Sequence, residues 1–230
     1  MLDYDGTLTG FKCDPMEASP TPQLKNLLQN LCHDSRNRVV INSGGNRATL
    51  EEWLGNIQGL SLAAEHGACY KQKGEWHNTI NRMEWDSNIL KIMTAFAHKT
   101  PGAWIEQKET ALVWHYREVD TWIGMLRAKQ LMQALYSVCS ASNLQILDGN
   151  KIVEVKPNKF SKGTEVLRLL SDDNYDFMLA MGDDVTDESM FRSMPAEAVT
   201  IKVGLVSDKA RYCLQRQEDV IPFLNRLIQT

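Results

Sequence analysis

Two acidic clusters in this sequence have the residue types and spacing that phosphate chemistry needs. They are residues 3–7 (DYDGT) and residues 182–187 (GDDVTD), and each follows an apolar start or run. Open α/β sheets bind ligands beyond the carboxyl ends of their strands, so we expect both clusters to meet at one edge of a sheet. The carboxylates concerned are Asp3, Asp5, Asp183, Asp184 and Asp187.

Such a gathering of carboxylates needs a cation. Two like charges ~4 Å apart repel each other by roughly 4 kcal/mol at an effective dielectric of about 20. Oxygen ligands without His or Cys favour a hard cation such as Mg²⁺, which also binds phosphate oxygens. A single Asp beside a Gly is most often a turn or a helix cap, but two such clusters at strand ends favour a phosphoryl substrate.

Two further segments could hold a phosphoryl group. Ser43 and Gly44 follow the β-branched run 39–41, where a hydroxyl and backbone N–H groups can cradle a phosphate beside a helix N-terminus. Lys162 opens a predicted helix, a position that the helix dipole disfavours for a cation, which favours a functional charge. Neither signal is specific, because a Ser-Gly pair is commonly an ordinary turn and a lysine is commonly solvated.

The elements that must position these residues alternate between strand and helix at both ends of the chain. Apolar residues at helical spacing predict a helix from Pro22, and a second helix pattern begins near Arg47. Residues 162–170 predict a further helix, while 39–41 and 177–181 are apolar runs typical of buried strands. This alternation indicates an α/β core with a doubly wound parallel sheet, covered on both faces.

The middle third of the sequence predicts a separate module. Hairpins are predicted around Gly74 and around residues 148–150, and helical stretches at about 83–98 and 120–136. This mixture indicates an α+β domain inserted into the α/β core. The expected limits are 68–157 for the inserted domain, and 1–67 with 158–230 for the core.

The composition excludes several functional classes. With 43% hydrophobic residues and a net charge of −4, the chain can bury a core and is not disordered. The 25 basic residues form no stripe that would bind nucleic acid, and no apolar run approaches the ~18 residues of a membrane helix. Five scattered cysteines without a CxxC pair indicate reduced thiols, and without a signal-peptide pattern the expected location is cytoplasmic.

The start of the sequence is unusually short for a strand that ends at an acidic cluster. Only Met1 and Leu2 precede Asp3, whereas strands usually have about 5–6 residues. We therefore expect these residues to be a piece of a longer polypeptide.

The motifs together resemble those of the haloacid-dehalogenase (HAD) phosphatases. The matching segments are 3–8 (DYDGTL), 43–44 (SG), 162–163 (KG) and 182–187 (GDDVTD). Further segments narrow the resemblance to the trehalose-6-phosphate phosphatases, including the phosphatase part of synthase–phosphatase fusions. These segments are 64–67 (AEHG), 106–108 (EQK), 115–117 (HYR) and 154–157 (EVKP). The resemblance implies an HAD-like core with an inserted α+β cap domain.

The resemblance also implies catalytic and metal-binding roles. Asp3 would be the nucleophile that forms an aspartyl-phosphate. Asp5 would protonate the leaving sugar oxygen and then activate water. Mg²⁺ would be held by the Asp3 carboxylate, the Asp5 carbonyl oxygen and Asp183.

Other core residues would support this chemistry. The residues expected to bind the phosphoryl group are Thr7, Ser43, Gly44 and Lys162. Thr7 would also help to position Asp5. Asp184 and Asp187 would support the waters of the metal or orient Lys162.

The inserted domain would be a cap that closes over the sugar and recognises its hydroxyls. The candidate substrate residues are Glu65, Lys108, Glu154, Glu106, His115 and Arg117. Each of these residues could instead lie on a solvated surface without contacting substrate, as charged residues on half-exposed strands commonly do. The second motif departs from the family's common Ser-Gly-Arg, since Gly45 stands at the third position and the next arginine is Arg47. Either Arg47 takes over the role of the missing arginine, or a contact with the phosphate or the sugar is lost.

Three functions are compatible with this sequence. The leading hypothesis is Mg²⁺-dependent hydrolysis of trehalose 6-phosphate, a small sugar phosphate, by a domain fused to or associated with a trehalose-6-phosphate synthase domain. The second is an HAD phosphatase for another sugar phosphate, which would differ in the cap residues. The third is a regulatory, phosphatase-like domain of a synthase, in which Asp3, Asp5 or Asp183 would be replaced. All three aspartates are present.

Overall fold

The computed structural model describes residues 1–12, 15–80 and 83–228, which form two compact units. The first, which we call the core unit, comprises Met1–Thr79 and Ser161–Thr230, and the second, the inserted unit, comprises Ile80–Phe160. The hairpin around Gly74 belongs to the core unit, because its strands extend the sheet of that unit. The observed limits therefore lie later in the chain than the expected 68 and 157.

The helices and strands follow in chain order. Before the insertion they are α1 (Pro22–His33), β1 (Val40–Asn42), α2 (Arg47–Leu54), β2 (Ser61–Ala64), β3 (Cys69–Gln72) and β4 (Glu75–Asn78). In the inserted unit they are α3 (Ser87–His98), β5 (Trp104–Gln107), β6 (Leu112–His115), α4 (Thr121–Ala141), β7 (Leu144–Gly149) and β8 (Ile152–Pro157). After it they are α5 (Lys162–Asp172), β9 (Leu179–Gly182), α6 (Val185–Ser193), β10 (Val199–Val203), β11 (Tyr212–Leu214) and α7 (Val220–Ile228).

Parallel strands of the core unit bring its two acidic clusters together. The strand orders β11-β10-β9 and β1-β2-β3-β4 are joined by the N-terminal residues, since Leu2 forms parallel bridges to Ile41 of β1 and Met181 of β9. β1 and β2 are parallel to each other, as are β9, β10 and β11, whereas β3 and β4 add an antiparallel edge. The residues before Asp3 thus lie within the sheet, between β1 and β9.

Helices cover both faces of this sheet, as the alternating pattern predicted. Successive residues of a strand point to opposite faces, and Met181 and Ala180 of β9 accordingly belong to different hydrophobic clusters. Met181 packs in the cluster that includes α1, α2 and α7. Ala180 packs with Val166 of α5 and Met190 of α6. The doubly wound α/β prediction is confirmed.

Local signals predicted the starts of α1, α2 and α5, and one strand differs from its prediction. The Thr21 side chain accepts a hydrogen bond from the Leu24 N–H (3.2 Å) and so caps α1. Ser161 caps α5 in the same way, within a capping box. Phe177 was predicted to lie in a buried strand, but it is 62% exposed, because β9 and its pairing with β10 begin at Leu179.

The inserted unit is an antiparallel sheet in the order β5-β6-β8-β7, with α3 and α4 packed on one face. Trp114 and Val153 pair with each other and point toward these helices. Glu106 and Glu154 both pair with Val113, which alternation places on the other face. The hairpin around residues 148–150 and both helices were predicted from the sequence, although α3 begins later than the predicted residue 83 and α4 ends later than the predicted residue 136.

Two further structural findings bear on the sequence analysis. Among the described residues, no helix is both long enough and apolar enough to cross a bilayer. Cys32, Cys69, Cys139 and Cys213 are free thiols, and Cys13 lies outside the described residues.

Candidate active site

Asp3 lies at the end of the short segment that pairs with both β1 and β9. Its backbone N–H donates to the Met181 carbonyl oxygen (2.9 Å), and the Asn42 N–H donates to the Leu2 carbonyl oxygen (2.9 Å). These bonds fix the backbone before Asp3 on both sides, and its side chain is buried. Asp183 directly follows β9, so the two acidic clusters meet at the carboxyl edge of the sheet, as predicted.

Lys162 connects the two acidic clusters. Its Nζ atom donates to Asp3 Oδ1 (2.5 Å) and to Asp187 Oδ1 (2.7 Å), and its side chain is buried. Asn42 Nδ2 donates to the Lys162 carbonyl oxygen (3.2 Å), which ties the start of α5 to the end of β1. The buried pairing explains why a cation occupies a helix start that the dipole disfavours.

Burial and mutual repulsion raise the pKa values of two carboxyl groups. Burial raises the pKa of Asp3 well above its usual value, Asp187 and Asp183 raise it further, and Lys162 opposes the shift. The pKa of Asp183 is raised to about 6, again chiefly by burial. Burial by itself would lower the pKa of Lys162, but the Asp187 and Asp3 carboxylates raise it instead. The lysine is therefore charged, and one cation faces three carboxyl groups.

The carboxylates of Asp3, Asp183 and Asp187 fit a hard cation. One oxygen of each lies within 4.8 Å of the others. Asp187 already accepts a bond from Lys162 through Oδ1 and one from the Asp184 N–H through Oδ2 (2.9 Å), so both of its oxygens are engaged by other groups of the site. A donor set of oxygens alone suits Mg²⁺.

Gly6 and Thr7 hold the first cluster against the second. Gly6 has a φ of +85°, and a Cβ atom there would lie 2.2 Å from Asp183 Oδ2, so only glycine fits. Thr7 Oγ1 lies 3.2 Å from Asp3 Oδ2 and 3.3 Å from Asp183 Oδ1, so its single proton can be donated to either. The Asp5 side chain, by contrast, is exposed.

The second cluster forms the start of α6. Asp184 caps this helix, because its side chain accepts a bond from the Val185 N–H (2.6 Å). Asp187 packs so closely on Gly182 that a Cβ atom there would lie 2.1 Å from the Asp187 Cγ. Asp187 therefore orients Lys162, while Asp184 caps the helix outside the group of three close carboxylates.

Two residues that the sequence analysis missed support this site through its backbone. The buried Lys202 donates from Nζ to the Asp184 carbonyl oxygen (3.0 Å). Gln217 Nε2 donates to the Thr7 carbonyl oxygen (3.0 Å). A lysine inside the apolar run of β10 was an available signal for the first. No local signal marks Gln217, which lies 210 residues from Thr7 in the chain.

The predicted phosphate segment forms a tight loop after β1. Ser43 is buried, and its Oγ atom accepts a bond from the Gly45 N–H (2.9 Å). Glu65 lies beside this loop in the core unit and not in the inserted unit, which corrects its assignment to the cap. Its N–H donates to the Gly45 carbonyl oxygen (3.0 Å). The Arg47 guanidinium lies over the Trp76 ring of β4, 5.0 Å from its centroid.

The other predicted substrate residues lie in the inserted unit. Lys108 Nζ is 3.4 Å from Glu154 Oε1, and both side chains are at least nine-tenths buried. His115 Nε2 is 2.9 Å from Glu106 Oε2. Arg117 donates to a backbone carbonyl oxygen in the β7–β8 turn (2.8 Å). The structure thus places two pairs of these residues together within the unit.

The chain matches known proteins over most of its length. The family model of trehalose-phosphatases matches residues 1–217. The chain is 39% identical over 234 residues to alpha,alpha-trehalose-phosphate synthase [UDP-forming] B of Dictyostelium discoideum, a match that covers 98% of this chain and 30% of that protein. The chain spans about a quarter to a third of the length of the curated relatives that it matches.

Solved structures with a similar fold include trehalose-6-phosphate phosphatases. The C-terminal domain of trehalose-6-phosphate phosphatase from C. albicans has a TM-score of 0.92 at 33% identity, and the match covers 99% of this chain and 90% of that chain. A haloacid dehalogenase-like hydrolase from Bacteroides thetaiotaomicron shares the fold at 13% identity, with a TM-score of 0.66 over 98% of this chain and 97% of that chain. The fold is HAD-like, and the chain belongs to the trehalose-phosphatase family.

Proposed function

We propose that this chain catalyses the Mg²⁺-dependent hydrolysis of trehalose 6-phosphate to trehalose and phosphate. The observation that carries the proposal is the buried group of Asp3, Asp183 and Lys162 in a chain of the trehalose-phosphatase family. Phosphoryl transfer depends mainly on positioning and charge stabilisation. A carboxylate nucleophile that is fixed beside a buried cation supplies both.

Asp3 acts as the nucleophile in this proposal. One of its carboxylate oxygens attacks phosphorus, the bond from phosphorus to the sugar oxygen breaks, and an aspartyl-phosphate forms. Asp5 gives a proton to the departing sugar oxygen. Asp5 then takes a proton from the water that attacks the aspartyl-phosphate, and phosphate leaves with Asp3 restored. The exposed side chain of Asp5 supports this role, because the group must meet both sugar and water.

The remaining residues of the core unit stabilise negative charge and position the reacting groups. Lys162 favours the ionised form of the Asp3 carboxyl group, which burial disfavours, and offsets charge on the phosphoryl oxygens. When bound, Mg²⁺ supplies further positive charge at those oxygens. Asp3, Asp183 and the Asp5 carbonyl oxygen are the proposed ligands. The residues proposed to bind the phosphoryl group are Thr7, Ser43, Gly44 and Lys162. Asp184 and Asp187 are proposed to support the waters of the metal or to orient Lys162.

We assign recognition of the sugar to Glu106, Lys108, His115, Glu154 and Arg117 of the inserted unit, with Glu65 of the core unit as a further candidate. Charged side chains form stronger hydrogen bonds to hydroxyls than neutral ones do. The contacts between Lys108 and Glu154 and between His115 and Glu106 support the assignment of these four residues, because they fix the side chains before a ligand binds. A trehalose-6-phosphate synthase domain is the proposed fused or associated partner.

Phosphate release from trehalose 6-phosphate, with and without Mg²⁺, tests this function. Glucose 6-phosphate and sucrose 6-phosphate are the comparison substrates. We expect turnover that requires Mg²⁺ and prefers trehalose 6-phosphate. Turnover of another ester alone would support the core chemistry but contradict the assigned substrate. A folded, Mg²⁺-binding protein that hydrolyses none of the three would contradict the enzymatic function and favour a regulatory role.

A further inference from the structure

The turn Glu65–Gly67 carries three successive residues in left-handed backbone conformations. Their φ angles are +50° at Glu65, +60° at His66 and +91° at Gly67. Residues other than glycine rarely adopt this region, because the Cβ atom approaches the following carbonyl oxygen. Strained backbone of this kind persists only where its surroundings hold it, and it clusters at functional sites.

Hydrogen bonds tie this turn to the loop at Ser43–Gly45. The Glu65 N–H donates to the Gly45 carbonyl oxygen and the His66 N–H donates to the Ser43 carbonyl oxygen, both at 3.0 Å. On its other side the turn packs on α5, because a Cβ atom at Gly67 would lie 3.1 Å from the Glu165 Cβ. The turn therefore links the loop to the helix that begins with the catalytic-site lysine.

The His66 ring lies against Gly44. A Cβ atom at Gly44 would lie 3.0 Å from both Cε1 and Nε2 of the ring, closer than such atoms ordinarily approach. His66 is 5% exposed, so the ring is held in this place. Gly44 and Gly45 have no side chains of their own to anchor the loop. The ring occupies the space beside Gly44 that a side chain would otherwise take.

We propose that His66 is a positioning residue for the loop Ser43–Gly45. The ring and the left-handed turn hold the Ser43 hydroxyl and the Gly44 backbone in the geometry that binds the phosphoryl group. The proposal rests on the proposed function, in which this loop receives the phosphoryl group. It also gives a reason for a histidine at a backbone position that glycine would occupy with less strain.

Binding of inorganic phosphate to the full chain, measured by calorimetry in Mg²⁺ buffer, tests this role. His66→Gly removes the ring while it relaxes the backbone, and we expect the phosphate Kd to rise at least about threefold, within the range for coupling between contacting residues. Lys73→Gly is the matched control. Lys73 is an exposed left-handed residue (φ +52°) in the β3–β4 hairpin, and its replacement should leave the Kd unchanged.

A double-mutant cycle with Gly44→Ala separates positioning from a purely structural role. In the wild-type background the added methyl group presses on the His66 ring and should weaken phosphate binding. In the His66→Gly background the ring is gone, so the same substitution should have a smaller effect, with melting temperatures as a check on folding. Additive effects, or a His66→Gly protein that binds phosphate as tightly as the wild type, would overturn the role of His66. A wild-type chain that does not bind phosphate would overturn the proposed function as well.

Discussion

Lys162 brings one positive charge to a group of three buried or half-buried carboxyl groups. The pairs to Asp3 and Asp187 satisfy the lysine, but they leave Asp183 with a pKa raised to about 6. The group is therefore arranged for an additional positive charge rather than for its own stability. A divalent cation that binds there should also keep the Asp3 carboxylate ionised, which the proposed attack on phosphorus requires.

Gly6→Ala tests how closely the two acidic clusters must approach. The new methyl group would overlap the Asp183 carboxylate, so we expect activity to be lost and the melting temperature to fall. Gly74→Ala is the control, because Gly74 has nearly the same φ (+86°) but nothing within 4 Å of the added atom. It should cost only the roughly 1–2 kcal/mol of left-handed strain and keep full activity. Comparable losses of kcat/KM in both variants would contradict the contact with Asp183.

Among the elements of the fold, strand pairing brings the aspartates of the candidate site together, and strand register places the candidate sugar-binding residues. Asp3 and Asp183 are close because Leu2 pairs with Met181 of β9. Glu106 and Glu154 share a sheet face because both pair with Val113. The positions of these acidic side chains thus depend on the backbone hydrogen bonds of apolar residues in the same strands and in neighbouring ones.

Glu154→Gln tests the role of the inserted sheet. The substitution leaves Lys108 without the charge of its partner, and loss of one partner of a buried pair typically costs about 3–5 kcal/mol. We expect a lower melting temperature and a KM for trehalose 6-phosphate raised about tenfold, as for a lost hydrogen bond to a charged group. Hydrolysis of p-nitrophenyl phosphate, which lacks the sugar, should be unchanged.

Glu118→Gln, an exposed glutamate of the same unit, serves as the control and should leave both KM values unchanged. If Glu154→Gln alters hydrolysis of the two substrates equally, Glu154 does not recognise the sugar.

Most elements of the fold could be predicted from local sequence, whereas their partners could not. The Thr-Pro pair at 21–22 and the apolar spacing after it define α1, because capping and amphipathicity are local properties. The hairpin around Gly74 was also predicted, but not the sheet that it joins, since pairing with β2 is not encoded in the hairpin itself. The same limit applies to Gln217, whose contact with Thr7 depends on the complete fold.

For the whole molecule, the carboxylate group makes stability depend on a cation and on pH. The pKa of Asp183 is raised from its usual 3.8 to about 6, so without a cation its ionisation destabilises the fold as the pH rises through this range. Mg²⁺ should bind the ionised form. At a concentration 100 times its Kd, a ligand that binds only the native state adds about 2.7 kcal/mol.

Thermal melting of the wild type and Asp183→Asn tests this linkage. At pH 7, Mg²⁺ should raise the wild-type melting temperature, and the gain should shrink as the pH falls through about 6, because a protonated carboxyl group is a poor ligand. Asp183→Asn should melt higher than the wild type without cation and gain nothing from Mg²⁺. An undiminished Mg²⁺ effect in this variant would show that the cation binds elsewhere.

The most direct test of the proposed catalytic mechanism is the initial rate of phosphate release from trehalose 6-phosphate by the wild type and by Asp3→Asn, at saturating Mg²⁺. The substitution keeps the shape of the side chain but removes the nucleophilic carboxylate, so melting curves should show a folded protein. We expect turnover by the wild type and less than about 1% of it in the variant, as for loss of a nucleophile. Activity in Asp3→Asn close to that of the wild type would contradict the role of Asp3.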